Sequence, residues 1–160
     1  MLRSLNKKIP ESVLVVIYDS KLNVLLLERA DRAGFWQSVT GSKDFQNEKI
    51  RETAIREVKE ETGLIVGGFE IPGENLYNWN ETNIYEIFPE WRYKYNNDVS
   101  HNKEHVFGLL IPTQKEIRIS KKEHLQYMWL PWNAAAEKCF SPSNKKAILD
   151  LPNKIKVVKI

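Results

Sequence analysis

Apolar residues in the first third of the chain come in short β-branched runs, not in a helical stripe. Val13 to Tyr18 (VLVVIY) and Val24 to Arg29 (VLLLER) are separated by a polar turn around Asp19-Ser20-Lys21. Runs of this length bounded by turn residues predict two mostly buried strands joined as a hairpin. Phe35 to Thr40 predicts a third strand, delivered by a turn at Asp31 to Gly34. The period then changes. From Glu48 to Thr62 there is no Gly or Pro, Glu, Lys, Arg and Ala dominate, and Gly63 supplies a stop, so a helix is predicted. A step of about 100° per residue puts Ile50, Ala54 and Val58, with Ile55 at the margin, on the stripe that faces a core.

Further strands are predicted at Leu64 to Phe69, with Gly67-Gly68 bulging or ending it, and at Leu76 to Trp79, Thr82 to Phe88, Trp91 to Tyr95, Val106 to Pro112 and Gln126 to Leu130. Asn133 is placed to cap a helix through Lys138, and Ser143 another running to Leu151 before Pro152. Lys154 to Ile160 alternates like a strand and, being terminal, is expected to lie on an edge or fray. Strands interleaved with one early helix and two late ones indicate an α/β or α+β fold around a mixed sheet. Without repeats, linkers or low-complexity stretches, a single domain over residues 1–160 is expected, its core about 8–151.

Composition narrows the class. At 160 residues, 42% hydrophobic and 28% charged, the chain has the profile of one soluble globular domain. Val13 to Tyr18 is too short to span a membrane, and the basic stretch Met1 to Lys8 is not followed by a signal-type apolar segment. The one cysteine, Cys139, has no partner for an internal disulfide, which points to the cytoplasm. A net charge of +3 is too small to argue for nucleic acid and suits a small polyanion. No obligate protein partner is implied.

The predicted helix carries acids where stability alone disfavours them. Glu57, Glu60 and Glu61 flank its apolar stripe near its C-terminus, where the helix dipole makes each acid unfavourable by about 0.3–1 kcal/mol. Glu57 and Glu61 are also a like-charged i,i+4 pair, at a further cost of roughly 0.2–0.5 kcal/mol. A bound divalent cation reverses both signs, because Mg²⁺ takes hard oxygen ligands and is commonly held between carboxylates and phosphates. Taken alone, EVKEE reads more readily as a solvated face with an ordinary Glu52–Arg56 pair. The preceding FWQSVT-GS and acidic loop are what set it apart.

Gly41, Glu48, Arg56-Glu57-Val58, Glu60-Glu61 and Gly63-Leu64 resemble the Nudix box, a glycine, a glutamate and then REUxEExGU with U a bulky aliphatic. The spacer Ser42 to Asn47 is one residue longer than the family's, which leaves the Gly41 and Ser42 carbonyls as alternatives for meeting a metal. The resemblance implies a Nudix-type α/β/α sandwich around a mixed β-sheet and Mg²⁺- or Mn²⁺-dependent cleavage of a diphosphate linked to another moiety. Beyond the box, FWQSVTGS, YEIF, WRYKY, NKEHVF, EHLQYMWL and SPSNKKAI resemble one bacterial branch of that family. Its members remove pyrophosphate from 7,8-dihydroneopterin 3′-triphosphate, in folate biosynthesis.

That resemblance implies metal binding at Glu57, Glu61 and Glu123, with Glu60 completing the catalytic set. It implies substrate contacts at Lys8, Arg29, Thr40, Tyr85, Glu86, Ile87, Phe88 and Ser141. The chemistry is coherent: Lys8 and Arg29 offer charge to a triphosphate, Arg29 bidentately, Tyr85 and Phe88 offer flat surface to a pterin, and Glu86 an acceptor for its N–H groups. The ordinary alternatives are a surface Arg29, core Tyr85 and Phe88, a cross-strand Glu86, and a turn at Ser141. Trp36 either stacks on the base or packs the sheet. His101, His105 and His124 read as packing residues. Two rival functions remain at this stage. One is hydrolysis of nucleoside triphosphates, dinucleoside polyphosphates or RNA ends. The other is an inactive Nudix-like module binding nucleic acid through Trp79, Trp91, Tyr93 and Tyr95 interleaved with Arg92 and Lys94.

Overall fold

The computed structural model describes residues 7–158. Met1 to Asn6, and Lys159 and Ile160 of the expected terminal strand, lie outside the described residues. Strands β1 (Glu11–Tyr18), β2 (Asn23–Arg29), β3 (Trp36–Gln37) and β4 (Val39–Ser42) come first, followed by helix α1 (Ile50–Thr62). Then come β5 (Leu76–Glu86), β6 (His101–Leu110), β7 (His124–Pro131) and helices α2 (Trp132–Lys138), α3 (Pro142–Leu149) and α4 (Leu151–Val158).

All seven strands form one mixed sheet, in the order β3-β2-β1-β6-β5, with β4 also on β1 and β7 also on β2. β1 is central, so its two faces are both covered and its sequence is a continuous apolar run. Val13, Val15 and Ile17 point into a core shared with Ala54 and Val58 of α1, Leu25, Leu27 and Phe107. Leu14, Val16 and Tyr18 point the other way, into a core with Ala135, Ala136, Ala147, Ile148 and Leu151. This is the α/β/α layering expected. β1 lies parallel to β6, Leu14 beside Val106, while β4 pairs antiparallel with its first half, Leu14 opposite Thr40. Thr40 and Gly41 are thereby fixed against the sheet centre and under α1.

Several expected elements differ. The stretch Leu64 to Phe69 is no strand; only Val66 makes an isolated bridge, to Ile71, and Phe69 is exposed. The Leu76 to Trp79 and Thr82 to Phe88 segments merge into one strand, β5, which stops at Glu86 and whose register shifts between Asn78 and Glu81, with Asn80 in the left-handed region at φ 56°. Trp91 to Tyr95 lies in a 3₁₀ turn over Pro89–Lys94, opened by the proline, and its end. The third strand is broken at Ser38 into β3 and β4. Ser141, not Ser143, caps α3, and α2 begins after Pro131 without a side-chain cap at Asn133. Lys154 to Val158 continues α4 instead of forming an edge strand, because Leu151 and Ile155, one turn apart, both pack on the α2–α3 core. No helix among the described residues is long and apolar enough to cross a membrane.

Candidate active site

α1 packs on β1 and β4, and Gly63 ends it in the left-handed conformation at φ 80°. Its stripe holds Ala54 and Val58 in the core, which leaves the last two turns to line a cleft of about 930 Å³. Lys8, Arg29, Thr40, Glu57, Glu60, Glu61, Tyr85 and Glu123 all face this cleft. A second cavity of about 530 Å³ shares Arg29, Thr40, Tyr85, Trp91 and Tyr95 with it and adds Glu86, Ile87, Phe88 and Ser141. Every residue expected at the site therefore lines one of two adjoining hollows.

Arg56 organises the acidic wall. Its Nη1 donates to Glu57 Oε1 at 2.8 Å and to Glu60 Oε1 at 3.1 Å, Nη2 to the Ser42 carbonyl at 2.9 Å, and Nε to Glu48 Oε2 at 3.1 Å. The expected Glu52–Arg56 pair does not form, because these partners use the guanidinium in full. Glu48 is buried and also accepts from the Asp44 N–H at 2.8 Å and the Thr53 hydroxyl at 2.9 Å. Burial by itself raises its pKa, and Arg56 with the Asp44 and Thr53 donors outweighs this and brings it down to about 2. The lengthened loop thus keeps Glu48 locked to Arg56. Gly41 sits opposite Val13 in the sheet and directly beneath Glu57, where an added Cβ would fall 1.9 Å from the Glu57 carboxyl carbon. Only glycine lets that carboxylate lie there.

Glu61 is 4% exposed, and among the described residues its Oε1 has no hydrogen-bond partner. Burial first, then the neighbouring Glu57 and then Glu123, push its pKa well above the usual carboxylate range. Glu57 is pushed up to about 7, chiefly by burial. Glu60 is half exposed and, among the described residues, tied only to Arg56. Glu123 stands on an exposed turn whose backbone is pinned to the end of β2, the Ala30 N–H donating to the Glu123 carbonyl at 2.9 Å. The donor set fits a divalent cation: hard oxygens, one of them buried and orphaned, crowded so that protonation or a cation must relieve them. Glu57 and Glu61 are brought together, whereas among the described residues no three acids, histidines or cysteines are already gathered in metal-holding geometry.

Positive charge lies opposite. Lys8 is exposed by area, yet its ammonium is sunk into the cleft, and this desolvation, then Lys94, lowers its pKa. Arg29 stacks 4.4 Å over Trp91 and is gripped by Asp31 through two bonds of 2.7 Å, so its bidentate face is engaged within the chain. Glu86 is likewise paired, with Arg92 at 2.7 Å. Tyr85 lies across from Asn102, whose Nδ2 donates to its hydroxyl at 3.1 Å. Phe88 stacks on Trp91, and Ser141 caps α3. Trp36 is buried in the helical core and packs the sheet. The supposed aromatic stripe is not one surface, since Tyr95 is buried, Trp79 packs toward α4 and Trp91 lies between Phe88 and Arg29.

Sequence reasoning set His124 aside as a packing residue and passed over three others here, Asn144, Asn102 and Glu104. His124 is buried with Nε2 3.7 Å from Glu61 Oε1; burial, then Arg29, lower its pKa to about 4, so it stands neutral beside the acids. Asn144 accepts from the Ser38 N–H at 2.8 Å and donates to its hydroxyl at 3.0 Å, fixing the α3 N-terminus to the β3–β4 break. Asn102 and Glu104 are buried polar residues on β6. Their signal was available: polar side chains at positions the strand alternation assigns to a buried face.

The arrangement of box residues around one cleft has its counterpart in known proteins. Residues 8–151 match the family model for the NUDIX domain. This chain belongs to the Nudix family. The dihydroneopterin triphosphate diphosphatase of Haemophilus influenzae is 42% identical over 142 residues, 86% of this chain and 84% of that protein. The Escherichia coli K12 protein of the same name is 42% identical over 143 residues, 88% of this chain and 91% of its own. The solved structure of the E. coli dihydroneopterin triphosphate pyrophosphohydrolase superposes with a TM-score of 0.78 at 40% identity, covering 89% of this chain and 94% of that one. A Nudix hydrolase structure from Listeria monocytogenes, at 23% identity and a TM-score of 0.74, shares the fold. Nudix hydrolases use divalent metal ions, and the chain is an enzyme of that kind.

Proposed function

We propose that this protein is a Mg²⁺-dependent pyrophosphohydrolase, with Mn²⁺ as an alternative metal, that converts 7,8-dihydroneopterin 3′-triphosphate to the monophosphate and pyrophosphate in the cytoplasm. The observation that carries this reading is 42% identity, over most of both chains, to relatives named for that substrate. The joined cavities support it: a cleft with an acidic wall facing basic side chains opens onto a smaller hollow walled by Ile87, Phe88 and Phe140, a fit for a phosphate chain ending in a flat ring.

Hydrolysis of a phosphoric anhydride is an electrostatic problem, because negative oxygens repel the nucleophile and the leaving group departs as an anion. Glu57, Glu61 and Glu123 would hold the metal, Glu123 as the further carboxylate from outside the helix. When bound, the cation supplies charge to the phosphates and lowers the pKa of a bound water. Arg56 keeps Glu57 and Glu60 oriented toward the cleft, and Gly41 gives Glu57 its room. Lys8 places a second positive charge on the opposite wall. Arg29 meets the substrate with the N–H donors that Asp31 and Gln37 leave. Thr40 lies between the two hollows, where a hydroxyl can bond the linker between phosphates and ring.

Product analysis tests this. Incubation with dihydroneopterin triphosphate and Mg²⁺ is expected to release pyrophosphate and the monophosphate, faster than dATP or diadenosine tetraphosphate is cleaved. Stepwise release of orthophosphate, or preference for either nucleotide, overturns it.

A further inference from the structure

Gln37 and Thr40 differ by an odd number of positions, so on an unbroken strand their side chains would point to opposite faces of the sheet. The break at Ser38 alters this. β3 runs with β2, Gln37 opposite Leu27, whereas β4 has crossed to β1, Thr40 opposite Leu14. Asn144 of α3 holds the break through the Ser38 N–H and hydroxyl. Both side chains therefore reach the same cleft, and the Gln37 amide donates from Nε2 to Thr40 Oγ1 at 3.2 Å. Its Oε1 accepts from Arg29 Nη1 at 3.3 Å. Gln37 is 5% exposed, a polar side chain buried where the two hollows meet, with both ends of its amide engaged.

The direction of this chain of bonds is fixed. A guanidinium only donates, so the amide oxygen must face Arg29 and the amide nitrogen must face Thr40. Arg29 holds its place through Asp31 and its stacking on Trp91. The Thr40 oxygen accepts from Gln37, which leaves its own hydroxyl proton to point elsewhere. We infer that Gln37 is a positioning residue that makes the Thr40 hydroxyl a donor aimed at an anionic phosphate oxygen where the hollows meet. This rests on the cleft being the seat of a triphosphate, as proposed above, and goes further by naming what sets the polarity of that contact. Gln37→Glu reverses it: a carboxylate accepts from both neighbours, the Thr40 proton turns inward, and lone pairs face the phosphate.

The test is a double-mutant cycle on Gln37→Glu and Thr40→Val. It is read as the dissociation constant of imidotriphosphate, a hydrolysis-resistant polyphosphate without a ring, in the presence of Mg²⁺, and as kcat and KM for dihydroneopterin triphosphate. Thr40→Val is expected to weaken imidotriphosphate binding about tenfold, and Thr40→Ser, which keeps the hydroxyl, by less than about threefold. Gln37→Glu is expected to weaken it about 30-fold in the presence of Thr40 and by a factor about fivefold smaller in the Thr40→Val background. The added charge acts in both backgrounds, so the difference isolates the polarity. KM for dihydroneopterin triphosphate is expected to rise in parallel, with a smaller fall in kcat. Should Gln37→Glu fail to fold, Gln37→Met carries the same comparison: it leaves the hydroxyl unaimed, at a cost of about threefold with Thr40 and none in the Thr40→Val background. Equal costs in the two backgrounds, or wild-type binding by Thr40→Val, overturn the inference. Coupling on imidotriphosphate without release of pyrophosphate from dihydroneopterin triphosphate keeps Gln37 and removes the proposed substrate. Release of pyrophosphate without coupling does the reverse.

Discussion

Glu57 and Glu61 share a buried corner of the cleft, and both carboxyls hold their protons to higher pH than in an unfolded chain. A folded pKa above the unfolded one contributes stability that is present below the unfolded value and lost as pH rises through the folded one, about 7 for Glu57. In chelator, the melting temperature is therefore expected to fall as pH rises from about 5 through about 7. Glu61→Gln should flatten that fall, and Mg²⁺ should restore the wild type; a flat wild-type profile would sink the assignment. Glu57→Gln and Glu61→Gln are each expected to lower kcat by about 10²-fold or more with circular dichroism unchanged. Gly41→Ala acts on the same carboxylate from below. Its Cβ would displace the end of a flexible side chain, so kcat should fall by roughly 10-fold or more while thermal unfolding moves little.

At the scale of elements, the loop before α1 and the helix itself are joined by Glu48 and Arg56. Glu48 has a folded pKa of about 2, below its unfolded value, so its contribution is present above the unfolded value and lost as pH falls through the folded one. Urea unfolding of Glu48→Gln should show a deficit of about 1–2 kcal/mol at pH 7, the usual size for losing hydrogen bonds to a charged group, and the two proteins should converge toward pH 2. α1, β1 and β2 were legible because period and composition agree in them. Trp91 to Tyr95 misled because aromatic alternation describes a strand and a proline-led turn equally well. Lys154 to Val158 misled because two-residue alternation there hides the Leu151–Ile155 spacing that docks a helix. The acidic wall was readable from the box spacing, whereas the partners of Arg29 and Glu86 were not, since Asp31 and Arg92 compete for them only once the chain is folded.

Over the whole molecule, the two hollows meet along a common rim, so a substrate filling both places its ring far from the bond that breaks. Binding energy gained at the ring is then available to hold the phosphates in reacting geometry. Inorganic tripolyphosphate, which fills only the larger, charged cleft, is expected to react with a kcat/KM about 10²-fold or more below that of dihydroneopterin triphosphate, with kcat lowered as well as KM raised. Equal kcat values would mean that the ring contributes uniform binding only. The sheet carries a different consequence. Leu14 lies beside Val106, its parallel neighbour across most of the chain. During synthesis β1 leaves the ribosome with that side bare, and it stays bare until His101 to Leu110 has emerged. For that interval a nearly all-apolar strand is the nascent protein's point of greatest exposure to mispairing, and the place where a chaperone has most to protect.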